Sequence, residues 1–215
     1  LDGNSLGVLP KASAARAREI IEEEWGSGLI RSWNDADWIG LPFKVGDKIA
    51  PLIGAGAGEV VACDSTSVNL FKLLAAAFAL RPERRVLLTD SDNFPTNNYI
   101  AEGVGDFLGD RVIRRVVAAD EIPGAIGKDT AVVSLTQVNY RSGLVHDLAR
   151  ISCAATAKGA LSLWDLSHSA GAMPVSAGTT RLPRLVAGQG GGDSSVPEFG
   201  RGSWRCGQRS SNAAG

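Results

Sequence analysis

The chain has 215 residues, 44% of them hydrophobic and 21% charged, which supplies enough apolar material for a domain core and excludes a wholly disordered polypeptide. Twenty-two basic residues against 23 acidic ones leave a net charge of -1, so neither nucleic acid nor an anionic membrane surface is an expected partner. Cys63, Cys153 and Cys206 are odd in number and lack CxxC spacing, which argues against a disulfide framework or a zinc site, suggests no metal centre, and fits a reducing cytoplasm. No apolar run approaches the ~20 residues that span a bilayer, and no secretory signal pattern opens the chain. The sequence starts at Leu1, inside a motif-like stretch, and reads as a piece of a longer protein.

In chain order, residues 12–25 place Ala, Ile and Trp at helical spacing among Arg and Glu, which predicts an amphipathic helix. A loop with Gly26, Gly28 and nearby tryptophans follows, then a second helical pattern over 43–53. Gly54, Gly56 and Gly58 break that pattern before 59–63, where an alternation of helices and strands opens. Ser65, Thr66 and Ser67 are suited to capping a buried helix over 68–80. Strands are predicted at 86–89, 111–117, 131–135 and 161–166, helical segments at 97–103 and 145–157, and a loop at 90–96. That order predicts an α/β fold, a mostly parallel sheet with helices on both faces.

The composition changes near Val175. Residues 176–215 hold nine Gly, six Ser and five Arg against two acids and no Lys, the signature of a disordered tail or of a shifted reading frame. The expected organisation is therefore an N-terminal segment over 1–45, a partial large domain over 46–175 and a tail over 176–215.

The segment Leu163-Trp164-Asp165-Leu166-Ser167-His168 ends an apolar strand in an acid, with a histidine three residues on. Strand C-terminal ends are where open α/β sheets bind ligands, and an Asp there is placed to pair with a protonated ring nitrogen. It reads equally as a helix cap with His168 in the first helical turn. The hydroxyls of 65–67 at a helix start make an anion site, suited to phosphate, or a purely structural cap. Phe94, held by the following Pro95, is placed either to lie flat on a planar ring or to plug the core beneath a turn. The glycines at 54, 56 and 58 do not have the order or spacing of a dinucleotide fingerprint.

Together, Leu1-Asp2-Gly3-Asn4-Ser5-Leu6-Gly7, the 66–70 stretch, Phe94-Pro95-Thr96, Val138-Asn139-Tyr140-Arg141-Ser142-Gly143 and Trp164-Asp165-Leu166-Ser167-His168 occur in the order found in kynureninases. The chain resembles that family over about residues 1–175. The resemblance implies the large domain of a fold-type-I pyridoxal-phosphate (PLP) enzyme, incomplete here. Such an enzyme hydrolyses L-kynurenine, or 3-hydroxykynurenine, to an anthranilate and L-alanine, in the tryptophan breakdown that also feeds NAD biosynthesis. It implies that Thr66 and Ser67 bind the phosphate, Phe94 stacks on the ring, and Pro95, Thr96 and Asn97 line the cofactor edge. Thr136, Asp165 and His168 complete the cradle, and Ser5 and Trp33 contact substrate. A homodimer in the cytoplasm is expected by the same resemblance.

Two departures accompany it. No lysine follows Lys158, so the family's cofactor-anchoring lysine has no counterpart, no catalytic residue is assigned, and this chain alone is expected to be inactive. Asn97 stands where the family usually has an acid. A cysteine desulfurase relative, or a non-catalytic cofactor-binding remnant, is the alternative reading, although Cys63 and Cys153 are poorly placed for desulfurase chemistry.

Overall fold

The computed structural model describes residues 9–175 and the backbone of 184–187. The N-terminal segment carries α1 (Ser13–Glu19), which widens into a π-helical stretch over Ile20–Gly28, then a 3-10 turn and the short α2 (Ser32–Asp35). The expected single helix over 12–25 is thus two kinds of helix. Near the change, the Ser32 hydroxyl donates to the Glu24 carbonyl, and the indole of Trp38 donates to the Glu24 carboxylate at 2.6 Å. Side-chain intrusions of this kind open a helical ladder.

α3 (Leu41–Ile49) begins earlier than the 43–53 pattern and passes into a 3-10 turn over Ala50–Ile53, where Pro51 lacks the N–H an α-helix would use. The backbone at Gly54, with φ of 69°, ends it as a left-handed cap. Gly46 in α3 is required by close approach: a Cβ there would lie 2.0 Å from the Val60 carbonyl oxygen.

α4 (Thr66–Leu80), capped by the Ser65 hydroxyl accepting from the Val68 N–H at 3.4 Å, leads into β1 (Val86–Asp90). α5 (Pro95–Leu108) starts before the predicted 97–103 and runs beyond it, because Pro95 occupies the first helical position, where a missing N–H costs nothing. β2 (Ile113–Val117), α6 (Ile122–Ala125) and β3 (Thr130–Thr136) follow. α7 (Leu148–Ala157) is shorter than the 145–157 pattern, since Asp147 caps it and Val145 instead bridges Val138 in antiparallel fashion. With β4 (Leu161–Asp165) and β5 (Arg184–Ala187), the described residues form a five-stranded sheet of order β2-β1-β3-β4-β5, in which every pairing is parallel.

Alternate residues of the central strands feed opposite faces. Val86, Leu88, Val133, Leu135 and Trp164 join the α7 residues Ile151 and Ala155 in one core. Leu87, Val132, Leu161 and Leu163 pack under α4 and α5 in the other. Both faces being covered, β1, β3 and β4 are buried along their whole length, as in doubly covered parallel sheets. β5 falls inside the compositionally odd region and pairs with β4; the remainder of that region, 176–183 and 188–215, lies outside the described residues.

Candidate cofactor site at the strand ends

Three strands, β1, β3 and β4, end together in polar residues. Asp90, Thr136 and Asp165 are the last residues of their strands, and all three are buried. Asp165 is 5% exposed, and its two oxygens are held differently. Oδ1 accepts from the Ser167 N–H at 2.8 Å and the Ser167 hydroxyl at 2.5 Å, while Oδ2 accepts from the Asn97 amide at 2.8 Å. Residues 167–172 form turns, so Asp165 closes an Asx turn and the helix-cap alternative is set aside. A carboxylate has about four acceptor positions, which leaves room for one further donor.

Asn97 also donates to the Thr136 hydroxyl at 3.1 Å, and that hydroxyl donates to Asn93 Oδ1 at 2.5 Å. The Asn93 amide continues to Thr89 Oγ1 at 3.0 Å. This buried chain of hydrogen bonds joins the ends of β1, β3 and β4 through side chains that are each given a partner.

Phe94 is the N-cap residue of α5, with its N–H on Asn93 Oδ1 at 2.8 Å. Its ring meets Tyr140 edge-on at 5.1 Å and lies 6.0 Å from His168, tilted by 40°. It is therefore neither a core plug nor an isolated platform, but the middle of an aromatic row with Arg141 over the outer Tyr140 face. His168 Nδ1 is buried without a hydrogen-bond partner, an orphan that calls for a group not supplied by the described side chains. Pro95 is exposed and Thr96 half-buried beside this row.

Thr66 and Ser67 open α4, half-buried. Arg81, just after α4, donates to the Gly159 carbonyl ahead of β4 at 2.9 Å, so the helix C-terminus lies at the strands' starting edge and its N-terminus points toward the edge where Asp165 sits. The first-turn N–H groups there are suited to an anion. Trp33 is set apart: it is 48% exposed and packs edge-on against Trp38 at 6.2 Å. Ser5 lies outside the described residues. Lys158 is the exposed C-cap of α7, its N–H bonded to the carbonyls of Ala154 and Ala155, which fits the helix-end role over a cofactor role. Among the described residues no group of three His, Cys, Asp or Glu is arranged to hold a metal, and no helix is long and apolar enough to cross a membrane. Cys63 points its thiol at Asn69 Oδ1, 3.5 Å away, and Cys153 is half-buried on α7.

A second pair was not anticipated. His146 Nε2 lies 3.2 Å from Asp90 Oδ2, and both side chains are buried. Burial pushes the Asp90 carboxyl up, but the His146 hydrogen bond, the Asp92 N–H, the His146 charge and the Ser91 hydroxyl together hold it below the ordinary carboxylate value. Asp90 was legible in principle, since Val86-Leu87-Leu88-Thr89-Asp90 is an apolar strand ending in an acid just as the Asp165 strand is. His146, between Val145 and Asp147, carries no local pattern that reveals its partner 56 residues away.

Among the described strands, the parallel sheet with a phosphate-suited helix start and buried acids at the inner strand ends fits the large domain of fold-type-I PLP enzymes. The chain belongs to the aminotransferase class-V family, whose model matches residues 44–182. Within it, the chain is 53% identical over 180 residues to a kynureninase from Pseudomonas fluorescens, covering 81% of this chain and 43% of that protein. It is 51% identical, with the same coverage, to a kynureninase from Burkholderia pseudomallei. It thus spans under half the length of the curated relatives it matches. In fold it is similar to a C-DES mutant solved with glycine covalently linked to its PLP cofactor, with a TM-score of 0.73 at 14% identity over 91% of this chain and 55% of that one.

Proposed function

We propose that this chain is the cofactor-binding part of a kynureninase, which hydrolyses L-kynurenine or 3-hydroxykynurenine to the corresponding anthranilate and L-alanine in tryptophan breakdown. The observation that carries this reading is the buried Asp165 carboxylate, fixed by Asn97 and Ser167 with acceptor capacity to spare, in a chain 53% identical to a kynureninase.

When bound, PLP supplies the electron sink that lets the substrate's α-proton leave and its side chain be cleaved at the ketone. The residues present fit that group. Asp165 would hold the protonated ring nitrogen, and the Asn97 and Ser167 donors keep its oxygens from rotating away. Phe94 would pack against the ring and Pro95, Thr96 and Asn97 would lie beside it, with the Thr136 hydroxyl accepting from Asn97. Thr66 and Ser67 would offer hydroxyls and helix-end N–H groups to the phosphate, and the orphaned His168 Nδ1 would take a polar atom of the cofactor. Ser5 and Trp33 belong to the substrate side. Intact, the enzyme is a cytoplasmic homodimer. Expressed as these 215 residues, with no lysine after Lys158, the chain holds PLP through non-covalent contacts and does not turn over kynurenine.

The test is a chimera in which residues 44–175 replace the matching segment of the Pseudomonas fluorescens kynureninase. The expected result is release of anthranilate from L-kynurenine at a rate within roughly tenfold of the parent, a change of about 1.4 kcal/mol in barrier. A folded, PLP-loaded chimera that leaves kynurenine untouched and acts on another amino acid would overturn the substrate assignment.

A further inference from the structure

We propose that the buried Asp90–His146 pair is the fastening that positions residues 91–98 of the candidate site, the turn after β1 and the first helical residues of α5, with His146 a positioning residue that acts through Asp90. The consequence for PLP rests on the function proposed above; the consequence for the loop does not.

Asp90 is 2% exposed and His146 7%, and they come from opposite ends of a 56-residue separation. Each of the three oxygens of Asp90 has a partner, and two of them hold the segment 91–98. Oδ2 faces His146, and Oδ1 accepts the Asp92 N–H at 2.8 Å. Its carbonyl accepts the Asn93 N–H at 3.2 Å and the Asn98 amide at 3.4 Å. Asp90 thereby ties both ends of the segment that carries Phe94 and Asn97. His146 is fixed from the other side: its N–H donates to the Gln137 carbonyl at 2.9 Å, next to the Val138–Val145 bridge. Its ring lies 6.5 Å from that of Trp164, the neighbour of Asp165. His146 thus meets β1 through its ring at Asp90, the residue after β3 through its own N–H at the Gln137 carbonyl, and β4 through its ring beside Trp164.

A buried ion pair is poor value as plain stabilisation, because desolvation offsets most of the attraction and an apolar pair of similar size often does as well. What an apolar pair would not reproduce is a carboxylate held at a fixed angle, with its remaining oxygen capping the Asp92 turn. The pair is therefore read as a device for geometry, placed beneath the ring-side loop.

The experiment uses the full 215-residue chain and its His146→Leu, His146→Gln and Asp90→Ala variants. Amide hydrogen exchange is measured across 91–98 and, as reference, across 131–135; PLP is then titrated into each. In His146→Leu, exchange over 91–98 should accelerate by at least about tenfold while 131–135 changes by less than about threefold, because one partner of a buried pair is lost locally. The Kd for PLP should rise in parallel. His146→Gln, whose amide nitrogen falls where Nε2 was, should restore both to within about threefold of the parent. Should the Leu variant fail to fold, Asp90→Ala, which removes both carboxylate oxygens, should give the same local pattern. Unchanged exchange over 91–98, an equal acceleration over 131–135, or no rescue by Gln would overturn the proposal. If the parent chain binds no PLP while the exchange pattern holds, the cofactor reading fails and the positioning role stands.

Discussion

Asp90 and Asp165 each close an apolar strand, yet Asp90 faces a histidine and Asp165 faces an amide and a hydroxyl. Because the folded Asp90 carboxyl is held below its ordinary value, its contribution to stability is present above the unfolded carboxylate range and is lost as pH falls through the folded value. Chemical denaturation from about pH 6 down to about pH 3 should therefore show the parent's advantage over Asp90→Asn shrinking as the solution acidifies; a constant difference would remove the charge from the account. Gly46 makes a prediction of another kind. With a Cβ at 2.0 Å from the Val60 carbonyl, Gly46→Ala forces α3 off the 60–61 backbone and should cost at least about 1–3 kcal/mol, the range for overpacking, read as a lowered denaturation midpoint.

At the scale of elements, the apolar strands were the most legible part. Runs such as Ala131-Val132-Val133-Ser134-Leu135 announce a buried strand by β-branching and length, and β3 is buried throughout. Helix boundaries were read less well where a single residue decides them: Pro95 moves the start of α5 forward, and Asp147 delays α7. The 12–25 stretch shows what periodicity alone misses. Ile21 and Trp25 within it remain exposed, and the change from α to π winding coincides with contacts that Ser32 and Trp38 make to Glu24. Of the site, Asp165, His168 and Phe94 were visible as motif residues, whereas the network through Asn93, Thr136 and Asn97 depends on three strand ends meeting in space. Trp164 ties β4 to α7 by donating to the Ser152 hydroxyl at 2.9 Å, which Ser162 also approaches at 3.2 Å. Ser152→Ala leaves that buried indole N–H without its acceptor, and thermal unfolding should report a loss of about 1–3 kcal/mol.

Across the whole molecule, the sheet is ordered so that β3, flanked by β1 and β4, lies at its centre, with β2 and β5 at the edges. The site is built at the ends of the three inner strands, where a rigid, doubly covered sheet can hold side chains to fixed positions. β5 pairs with the edge of β4. A chain cut after Val175 lacks that strand and presents the whole β4 edge, so it should be less soluble than the 215-residue chain when the two are expressed side by side. Equal solubility would show that β5 is dispensable as an edge cover.

The most direct test of the central claim is a PLP titration of the 215-residue chain followed by tryptophan fluorescence, with Asp165→Ala as the comparison. Trp164 is buried beside Asp165, so a cofactor bound at the strand ends should quench emission saturably in the parent. Asp165→Ala should weaken binding by roughly tenfold or more, the scale of a charged hydrogen bond of about 1.5–3 kcal/mol, with no change in far-ultraviolet circular dichroism. Saturable binding of equal strength in both proteins, or no binding in either, would contradict the assignment of the strand ends as the cofactor site.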